Sequence, residues 1–282
     1  MVKVGMNISG QWARDANHIE EVGLDSVWAG DHLANNMPLL DVTLTLATAA
    51  AVTTRLELGM VMQIALRPAA WAAKQVGSLQ TLSGNRIQLG VGVGGEWPDE
   101  WAAAGVPLKE RGRRTDELLR ALPSLLEGHA TETPDTGVVI RLTPPAPTPP
   151  VWIAGRSARA LRRTGELGDG WYPAMITPED YAKDLAKIHE IAAAAGRKAP
   201  AGGIQLFGAL GSSPDTVADM LNKNYSLPIE VGARIVVGGG PRQVADRINE
   251  FVEAGAEHVS VVSFGADWRA SAETLAEAKR LL

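Results

Sequence analysis

Residues 56–93, LELGMVMQIALRPAAWAAKQVGSLQTLSGNRIQLGVGV, carry the pattern from which the architecture can be predicted. The two ends of this segment, residues 56–62 and 86–93, are apolar and strand-like, and residues 68–82 between them have the pattern of a helix. Both strands are apolar throughout instead of alternating with polar residues, which is typical of a parallel sheet buried on both faces. The segment therefore predicts one strand–helix–strand unit.

The same unit recurs on both sides of this segment. Further strands are predicted at residues 2–8, 26–29, 151–154, 169–172, 203–210, 234–237 and 258–262. Helical patterns separate them, among them a polar segment at residues 11–22 and an apolar one at residues 41–52. Roughly eight strands alternating with helices over about 250 residues predict a (β/α)8 TIM barrel. A doubly wound open sheet is the alternative, because alternation alone does not show whether the sheet closes.

One segment interrupts this rhythm. Residues 128–150 contain six prolines around a short apolar run at residues 138–142. Such a density of proline excludes a continuous helix or a central strand. Because the strand–helix rhythm resumes at Val151, we interpret the segment as a surface excursion with a small hairpin inside a single domain, residues 1–282, and not as a linker.

Composition excludes several classes of function. The chain of 282 residues has a formal net charge of −5 and no cysteine, so it offers neither a basic field for nucleic acid nor thiolate chemistry. No apolar run approaches the roughly 20 residues of a membrane span, and the first residues lack a signal-peptide pattern. The five histidines share no helical spacing, so no metal site is predicted. We expect a cytoplasmic protein that binds neither nucleic acid nor membrane.

A glycine run follows the strand at residues 86–89. Residues 90–95, GVGVGG, match the dinucleotide-binding spacing G-x-G-x-x-G. In that motif a helix must start at the third glycine, whereas Pro98 here obstructs the segment that follows. We therefore favour an interpretation in which Gly94 and Gly95 let a flat ring, or a neighbouring backbone, approach the strand end.

Asp31 and His32 end the second predicted strand. At the carboxyl end of a barrel strand, the imidazole of His32 lies where a general acid or a hydrogen-bond donor to a cofactor is expected. The alternative is a histidine that is structurally paired with its neighbouring aspartate.

The segment Ala154-Gly155-Arg156-Ser157 ends another strand and opens a helix. Backbone N–H groups, the hydroxyl of Ser157 and the guanidinium of Arg156 converge there, which suits a phosphate; an ordinary capped turn is the alternative. Four tryptophans at or just beyond predicted strand ends indicate walls for a planar ligand, with core packing as the alternative. They are Trp28, Trp97, Trp101 and Trp171.

Taken together and in order, these motifs resemble the luciferase-like monooxygenase superfamily, and within it the branch that uses coenzyme F420. The resemblance covers nearly the whole chain. It rests on SVWAGDH at residues 26–32, LQTLSGNRIQLGVGVG at 79–94, RGRRTDE at 111–117, WIAGRS at 152–157, GDGW at 168–171 and VGGGP at 237–241. It implies a luciferase-like TIM barrel with an insertion after the fourth helix, where residues 128–150 lie. Members are commonly dimers, so a homodimer is expected.

The resemblance also implies a cofactor site. The flavin-like ring would lie across the strand ends near His32, and the phosphate of the cofactor tail would meet Gly155, Arg156 and Ser157. A non-prolyl cis peptide behind the ring would fall within residues 59–62 and bring Met60, Val61 and Met62 to the ring. Sugar-phosphate dehydrogenases of this branch carry a glutamate directly after the glycine run, whereas here Gly95 displaces Glu96 by one position.

We therefore expect an oxidoreductase that transfers a hydride between coenzyme F420 and a small organic substrate. His32, supported by Asp31, would move the accompanying proton, and Trp97 and Met62 would shape the pocket. Two alternatives stay open: an FMN-dependent monooxygenase that uses O2, and a flavin-binding barrel without catalysis. A role for Glu96 or Glu100 is also open.

Overall fold

The computed structural model of the protein describes residues 1–35, 38–213, 215–225, 228–264 and 267–282. The strands in these ranges are β1 (Lys3–Asn7), β2 (Ser26–Gly30), β3 (Glu57–Met62), β4 (Ile87–Val91), β5 (Thr131–Glu132), β6 (Val139–Ile140), β7 (Val151–Ile153), β8 (Gly170–Trp171), β9 (Ala201–Leu210), β10 (Val236–Gly239) and β11 (His258–Ser263). The α-helices are α1 (Asn17–Glu21), α2 (Val42–Val52), α3 (Ala69–Ser83), α4 (Pro98–Ala103), α5 (Arg111–Leu126), α6 (Ala158–Leu167), α7 (Pro178–Ala194), α8 (Asp215–Tyr225), α9 (Ile229–Ala233), α10 (Pro241–Glu253) and α11 (Trp268–Lys279). Within these ranges, every helix is too short or too polar to span a bilayer.

Eight parallel strands close into a barrel. Their order is β1-β2-β3-β4-β7-β8-β9-β11, and β11 pairs again with β1 through Lys3 and His258. Closure on the other side comes from β8 and β9, where Gly170 pairs with Ala201. The predicted TIM barrel is therefore confirmed, and the open-sheet alternative is wrong.

The strand predicted at residues 234–237 is present as β10 but is not one of the eight barrel strands. Among the described residues it pairs only with the last part of β9, from Val236 with Phe207 to Gly239 with Leu210. β8 contacts the same edge of β9 only at its first two residues. β9 is ten residues long, so its second half and β10 form a wall that extends beyond the carboxyl ends of the shorter strands.

Residues 128–150 form the predicted excursion between α5 and β7. The short strands β5 and β6 pair antiparallel, with Thr131 opposite Ile140, and the proline-rich remainder carries no further helix or strand. The hairpin is therefore confirmed.

Two helices begin at side-chain caps, and one segment predicted as a helix is divided into two. The hydroxyl of Ser157 accepts a hydrogen bond from the Ala160 N–H, at the helix start that the sequence predicts, and Thr177 caps α7 with Pro178 in the first turn. The segment at residues 11–22 is not one helix. It is split into a 3-10 helix, Gly10–Asp15, and the short α1, because the N–H of Ala16 bonds to the carbonyl three residues back at Ala13.

Aromatic side chains fill the middle of the barrel. Trp28, Trp152 and Tyr172 form one buried cluster, with the Trp28 and Tyr172 rings stacked 4.2 Å apart. The neighbouring strands accommodate them with glycine: a Cβ at Gly59 would lie 2.0 Å from the Trp28 ring, and one at Gly170 would lie 2.2 Å from Trp152. Ligand space can therefore begin only above this cluster, at the carboxyl ends of the strands.

Candidate active site

His32 lies just beyond the end of β2 and contacts a glutamate from α4. Its Nδ1 is 3.1 Å and 3.2 Å from the two carboxylate oxygens of Glu100, and its ring meets Trp97 edge-on at 5.0 Å. Glu100 is fully buried and also accepts a hydrogen bond from the Ala34 N–H at 2.9 Å. The carboxylate is therefore held from two sides and fixes the imidazole.

This contact assigns different roles to the two ring nitrogens of His32. We assign a proton to Nδ1, because a carboxylate accepts hydrogen bonds; the side-chain amide of Gln63 lies 3.3 Å from the same nitrogen. Nε2 has no hydrogen-bond partner among the described residues, and the side chain is about one-fifth exposed. Nε2 is thus the nitrogen that can exchange a proton with a ligand in the barrel mouth. No group of three or more His, Asp or Glu side chains within the described ranges is arranged to hold a metal ion.

Asp31 does not support His32, which corrects the expectation drawn from their adjacency. Its two oxygens accept hydrogen bonds from Arg67, at 2.6 Å from Nη1 and 3.0 Å from Nη2. Burial alone would lower the pKa of the Arg67 guanidinium, but Asp31 and, at 3.6 Å, Asp41 raise that pKa above its usual value. Asp31 therefore anchors the loop after β3 instead of touching the ligand space.

The strand β3 presents only one of the three predicted side chains to the barrel interior. Val61 is partly exposed and packs against the aromatic cluster, whereas Met60 and Met62 are fully buried in the layer between strands and helices. Alternation along a strand explains the difference. The prediction that Met60 and Met62 contact a cofactor with their side chains is therefore corrected.

The cis peptide implied at residues 59–62 is absent. Within the described ranges the one cis bond is Thr143–Pro144. β3 instead pairs in unbroken parallel register on both sides, with Val61 opposite Gly30 of β2 and Gly90 of β4. Regular pairing on both edges leaves no room for a bulge in this strand.

Two inward-facing glycines flank Val61 and leave open space. Trp28 and Gly90 face the interior, so alternation directs Gly30 and Gly92 inward as well. A Cβ at either glycine would meet no atom within 4 Å. Bare backbone on both sides of Val61 forms a shallow cradle that fits a planar ring, and we call Gly30, Val61 and Gly92 the ring cradle.

Gly94 and Gly95 are explained by backbone conformation and packing. Their φ angles are +60° and +122°, and a Cβ would lie 2.7 Å from Gln63 Oε1 and 2.9 Å from Arg111 Nε, respectively. A helix does follow, because Pro98 occupies the first position of α4 and does not obstruct it. Contact of these glycines with a cofactor stays a prediction. The Gln63 Oε1 atom beside them is buried and has no hydrogen-bond partner among the described residues.

Of the four tryptophans that were candidates for pocket walls, only Trp97 is partly exposed, and it lies against His32. Trp28, Trp101 and Trp171 are fully buried. Core packing therefore accounts for these three.

The turn after β7 has the geometry expected of an anion site. Gly155 has φ +101°, and its carbonyl accepts a hydrogen bond from Trp171 Nε1 at 2.9 Å. The Ser157 hydroxyl caps α6, a helix of ten residues, by accepting from the Ala160 N–H at 3.2 Å. Arg156 is exposed and its guanidinium has no partner among the described residues. The helix terminus and the free guanidinium together suit a phosphate.

These features lie along one arc of the barrel. β2, β3, β4 and β7 are consecutive neighbours in the sheet. His32 follows β2, and the ring cradle lies on β2, β3 and the end of β4. The glycine turn (Gly94 and Gly95) follows β4, and the anion turn (Gly155, Arg156 and Ser157) follows β7. A ligand with a ring at one end and a phosphate at the other could therefore span them without crossing the barrel. The sequence did not identify Gln63 and left the role of Glu100 open. No motif shows which residues after β3 and in the α4 segment face the mouth.

Comparison with known proteins identifies the class to which this barrel belongs. Residues 11–226 match the luciferase-like monooxygenase family, and the chain belongs to that family. An uncharacterized protein of Mycobacterium tuberculosis is 32% identical over 209 residues, which cover 72% of this chain and 71% of the relative.

A second relative has a named activity. A phthiodiolone/phenolphthiodiolone dimycocerosates ketoreductase of Mycobacterium bovis is 28% identical over 206 residues, covering 62% of this chain and 54% of that protein.

Two solved structures share the fold but differ in cofactor. An F420-dependent secondary alcohol dehydrogenase in complex with an F420–acetone adduct superposes with a TM-score of 0.83 at 17% identity, over 98% of each chain. The oxygenating constituent of the Pseudomonas putida 3,6-diketocamphane monooxygenase, in complex with FMN, superposes with a TM-score of 0.77 at 16% identity, over 98% of this chain and 97% of that one. At these identities the likeness shows the fold alone.

Proposed function

We propose that the protein is an oxidoreductase that transfers a hydride between coenzyme F420 and a small organic substrate in the barrel mouth. The observation that carries this proposal is the His32–Glu100 pair beside the ring cradle. It provides an imidazole with one fixed and one available nitrogen, next to space that a planar ring would fill.

The residues that would hold the cofactor are those of the arc. The ring would lie over Val61 between Gly30 and Gly92, and the phosphate would meet Gly155, Arg156 and Ser157. When bound, the deazaflavin ring supplies or accepts the hydride. The chain itself provides binding, orientation and the proton.

His32 Nε2 would move that proton. In the oxidation of an alcohol the hydroxyl proton passes to Nε2 as the hydride leaves the carbon, and in the reduction of a carbonyl Nε2 returns a proton to the oxygen. Glu100 keeps Nδ1 protonated in both directions and holds the ring plane.

The relatives support this reaction class without deciding the cofactor. One structural neighbour is an F420-dependent alcohol dehydrogenase, and one sequence relative is a ketoreductase. The FMN-bound neighbour favours the second candidate, an FMN-dependent monooxygenase that uses O2. The third candidate, a barrel that binds a flavin without catalysis, predicts cofactor binding with no turnover.

The test is anaerobic turnover. Purified protein with reduced F420 and a simple ketone should generate oxidised deazaflavin absorbance, and His32→Gln should abolish most of it while the cofactor still binds. Turnover that requires FMN and O2 would replace this proposal with the monooxygenase. Binding of F420 without turnover of any ketone or alcohol would favour the non-catalytic barrel.

The proposal extends to assembly and location. We expect a homodimer formed through the outer faces of α2 and α3, which carry large apolar side chains, Leu44 and Trp71 among them, that are about two-thirds exposed. α2 contains no charged residue, so contact through this helix would bury no charge of α2. The cytoplasmic location stays a prediction.

A further inference from the structure

Asn7 is the last residue of β1 and faces the barrel interior. Its neighbour Met6 is buried between the strands and the helices, so alternation along the strand directs Asn7 inward. The side chain is partly exposed, and its Nδ2 has no hydrogen-bond partner among the described residues and is open to solvent. Trp28, which pairs with Asn7 in the sheet, and Ser260 of β11 are fully buried. The open side of the amide is therefore the mouth.

Two buried hydroxyl groups hold the Asn7 amide. The hydroxyl of Tyr172 hydrogen-bonds to that of Ser260, and Ser260 Oγ donates to Asn7 Oδ1 at 3.0 Å. Tyr172 and Ser260 are both buried. Burial raises the pKa of Tyr172 above its usual value, so this hydroxyl keeps its proton.

These contacts fix the direction of the hydrogen bonds. Within the described ranges the Tyr172 hydroxyl contacts one acceptor, the Ser260 oxygen, so Ser260 must pass its own proton onward to Asn7 Oδ1. With the amide turned the other way, Nδ2 would donate to Ser260, and one hydroxyl proton of the pair would be buried without an acceptor, which is unfavourable. The amide therefore presents both Nδ2 protons to the mouth.

The amide lies at the β1 end of the ring cradle. Asn7 pairs with Trp28, and Gly30 of the cradle follows Trp28 by two residues on β2. The spacing of neighbouring strands and the rise along a strand place the Cα atoms of Asn7 and Gly30 about 8 Å apart. A Cβ at Gly30 would meet no atom within 4 Å. The edge of a planar ring on the cradle would therefore come within hydrogen-bond reach of the Asn7 side chain.

Two N–H donors at this end of the cradle suit an oxygen acceptor on the ring. Flavins and deazaflavins both carry carbonyl oxygens at the pyrimidine end of the ring system. The opposite end carries methyl groups in FMN and a hydroxyl group in F420. A carbonyl oxygen is thus the acceptor that the two rings share.

We propose that Asn7 Nδ2 donates a hydrogen bond to a carbonyl oxygen of the bound ring, and so fixes which end of the ring points to β1. The inference rests on the proposed function for the presence of the ring. The pyrimidine end would lie beside Gly30, and the opposite end would point toward β4. In this position Asn7 also stabilises the negative charge that a hydride brings to the pyrimidine end.

Binding of flavin rings to Asn7→Asp tests the contact. Lumiflavin, which is the flavin ring without a phosphate tail, is titrated by fluorescence beside FMN and F420. The aspartate keeps an acceptor for Ser260 but has no N–H, so affinity for all three should fall by about tenfold or more at pH 8. A protonated aspartate regains a donor, so the ratio of variant to wild-type dissociation constants should narrow as the pH falls toward 5. A ratio near one at pH 8, with an unchanged melting temperature, would overturn the proposal.

Gln205→Glu is the matched control. Gln205 is a second partly exposed amide, and it faces inward because a Cβ at Gly203, two residues earlier, would lie 2.9 Å from the Trp152 ring. It lies on β9, which is not a neighbour of β1 or β2. The substitution adds the same charge to the mouth and should leave ring affinity unchanged. Equal losses in Gln205→Glu and Asn7→Asp would assign the effect to charge and overturn the role of the Asn7 donor.

The inference and the proposed function fail separately. If FMN and lumiflavin bind in place of F420 and lose affinity in Asn7→Asp, the role of Asn7 stands and the choice of F420 falls. If F420 binds and is turned over, but no ring loses affinity in the variant, the proposed function stands and the role of Asn7 falls. A loss confined to F420 would place the hydroxyl end of its ring at Asn7 and overturn the proposed orientation.

Discussion

At the scale of single residues, neighbours in space and neighbours in sequence give different partners for His32. Adjacency favoured Asp31, yet that carboxylate binds Arg67 with both oxygens. Glu100, 68 positions away, reaches the imidazole because α4 turns back toward the end of β2. The sequence identified the histidine from its place at a strand end, but the identity of its partner depended on the direction of one short helix.

The first prediction concerns this pair. Glu100→Gln removes the charged acceptor that keeps Nδ1 protonated, so kcat should fall by about a hundredfold while KM and cofactor affinity change little. Glu96→Gln alters an exposed carboxylate four residues earlier and serves as the matched control. Steady-state kinetics combined with a fluorescence titration of the cofactor separates the two effects. Equal kcat values in both variants would show that Glu100 does not contribute to turnover.

The second prediction concerns His258 beneath the aromatic cluster. Its Nε2 is 2.8 Å from the Ser26 hydroxyl, and burial, with a smaller contribution from Lys3, lowers its pKa from 6.5 to about 4. As the pH falls, His258 of the unfolded chain thus binds a proton near pH 6.5, whereas His258 of the folded protein binds it only near pH 4. The free energy of unfolding should therefore be level above pH 7 and fall as the pH drops through this window, by about 3 kcal/mol.

Urea unfolding at several pH values measures this dependence. His258→Gln can retain the hydrogen bond to Ser26 but has no titratable group, so its stability should fall less over the same pH range. Identical pH profiles for wild type and variant would contradict the buried neutral histidine.

At the scale of elements, the strands and helices could largely be predicted, but the direction of side chains could not. Strands of a parallel barrel are apolar on both faces, so their letters do not show which residues face inward. For this reason Met62 was predicted to shape the pocket although it faces the helices, while Val61 faces the mouth. β10 was predicted as a strand, yet only the pairing shows that it lies outside the barrel.

Helix α4 illustrates a second limit. Pro98 was interpreted as an obstruction, whereas a proline at the first position of a helix is favourable because its missing N–H would be unpaired there anyway. The start of α6 at Ser157, in contrast, was predicted correctly, since its cap depends only on local sequence, whereas the phosphate at this turn stays a prediction.

The third prediction tests the ring cradle. Gly92 lies outside the left-handed region and has open space where a Cβ would lie, so Gly92→Val should fold with an unchanged melting temperature. The added methyl groups would enter the space assigned to the ring and weaken cofactor binding by about tenfold or more. Unchanged affinity for every flavin tested would show that no ring lies over Val61.

At the scale of the whole molecule, the barrel separates stability from function. Its lower half is filled by Trp28, Trp152 and Tyr172, and its mouth carries His32, the ring cradle and the anion turn along consecutive strands. This arrangement follows from closure of the barrel, because strands far apart in sequence bring their ends together at one rim.

The fourth prediction concerns assembly through α2 and α3. Leu44, Trp71 and Leu82 are 68%, 66% and 71% exposed on these helices, a surface that a second copy would cover. Trp71→Glu with Leu44→Glu should convert a dimer into a monomer in light scattering coupled to size-exclusion chromatography. Val139→Glu in the excursion is the control and should stay dimeric. A monomeric wild-type protein would refute the assembly.

The proposed function depends above all on the binding of a deazaflavin along β2, β3, β4 and β7. The most direct measurement is a fluorescence titration of purified protein with F420, FMN and FAD at matched concentrations, repeated with Arg156→Ala. We expect tight binding of F420 in preference to FMN and FAD, weakened by about tenfold in the variant because the phosphate loses its guanidinium. Binding of FMN in preference to F420, or of none of the three, would contradict it.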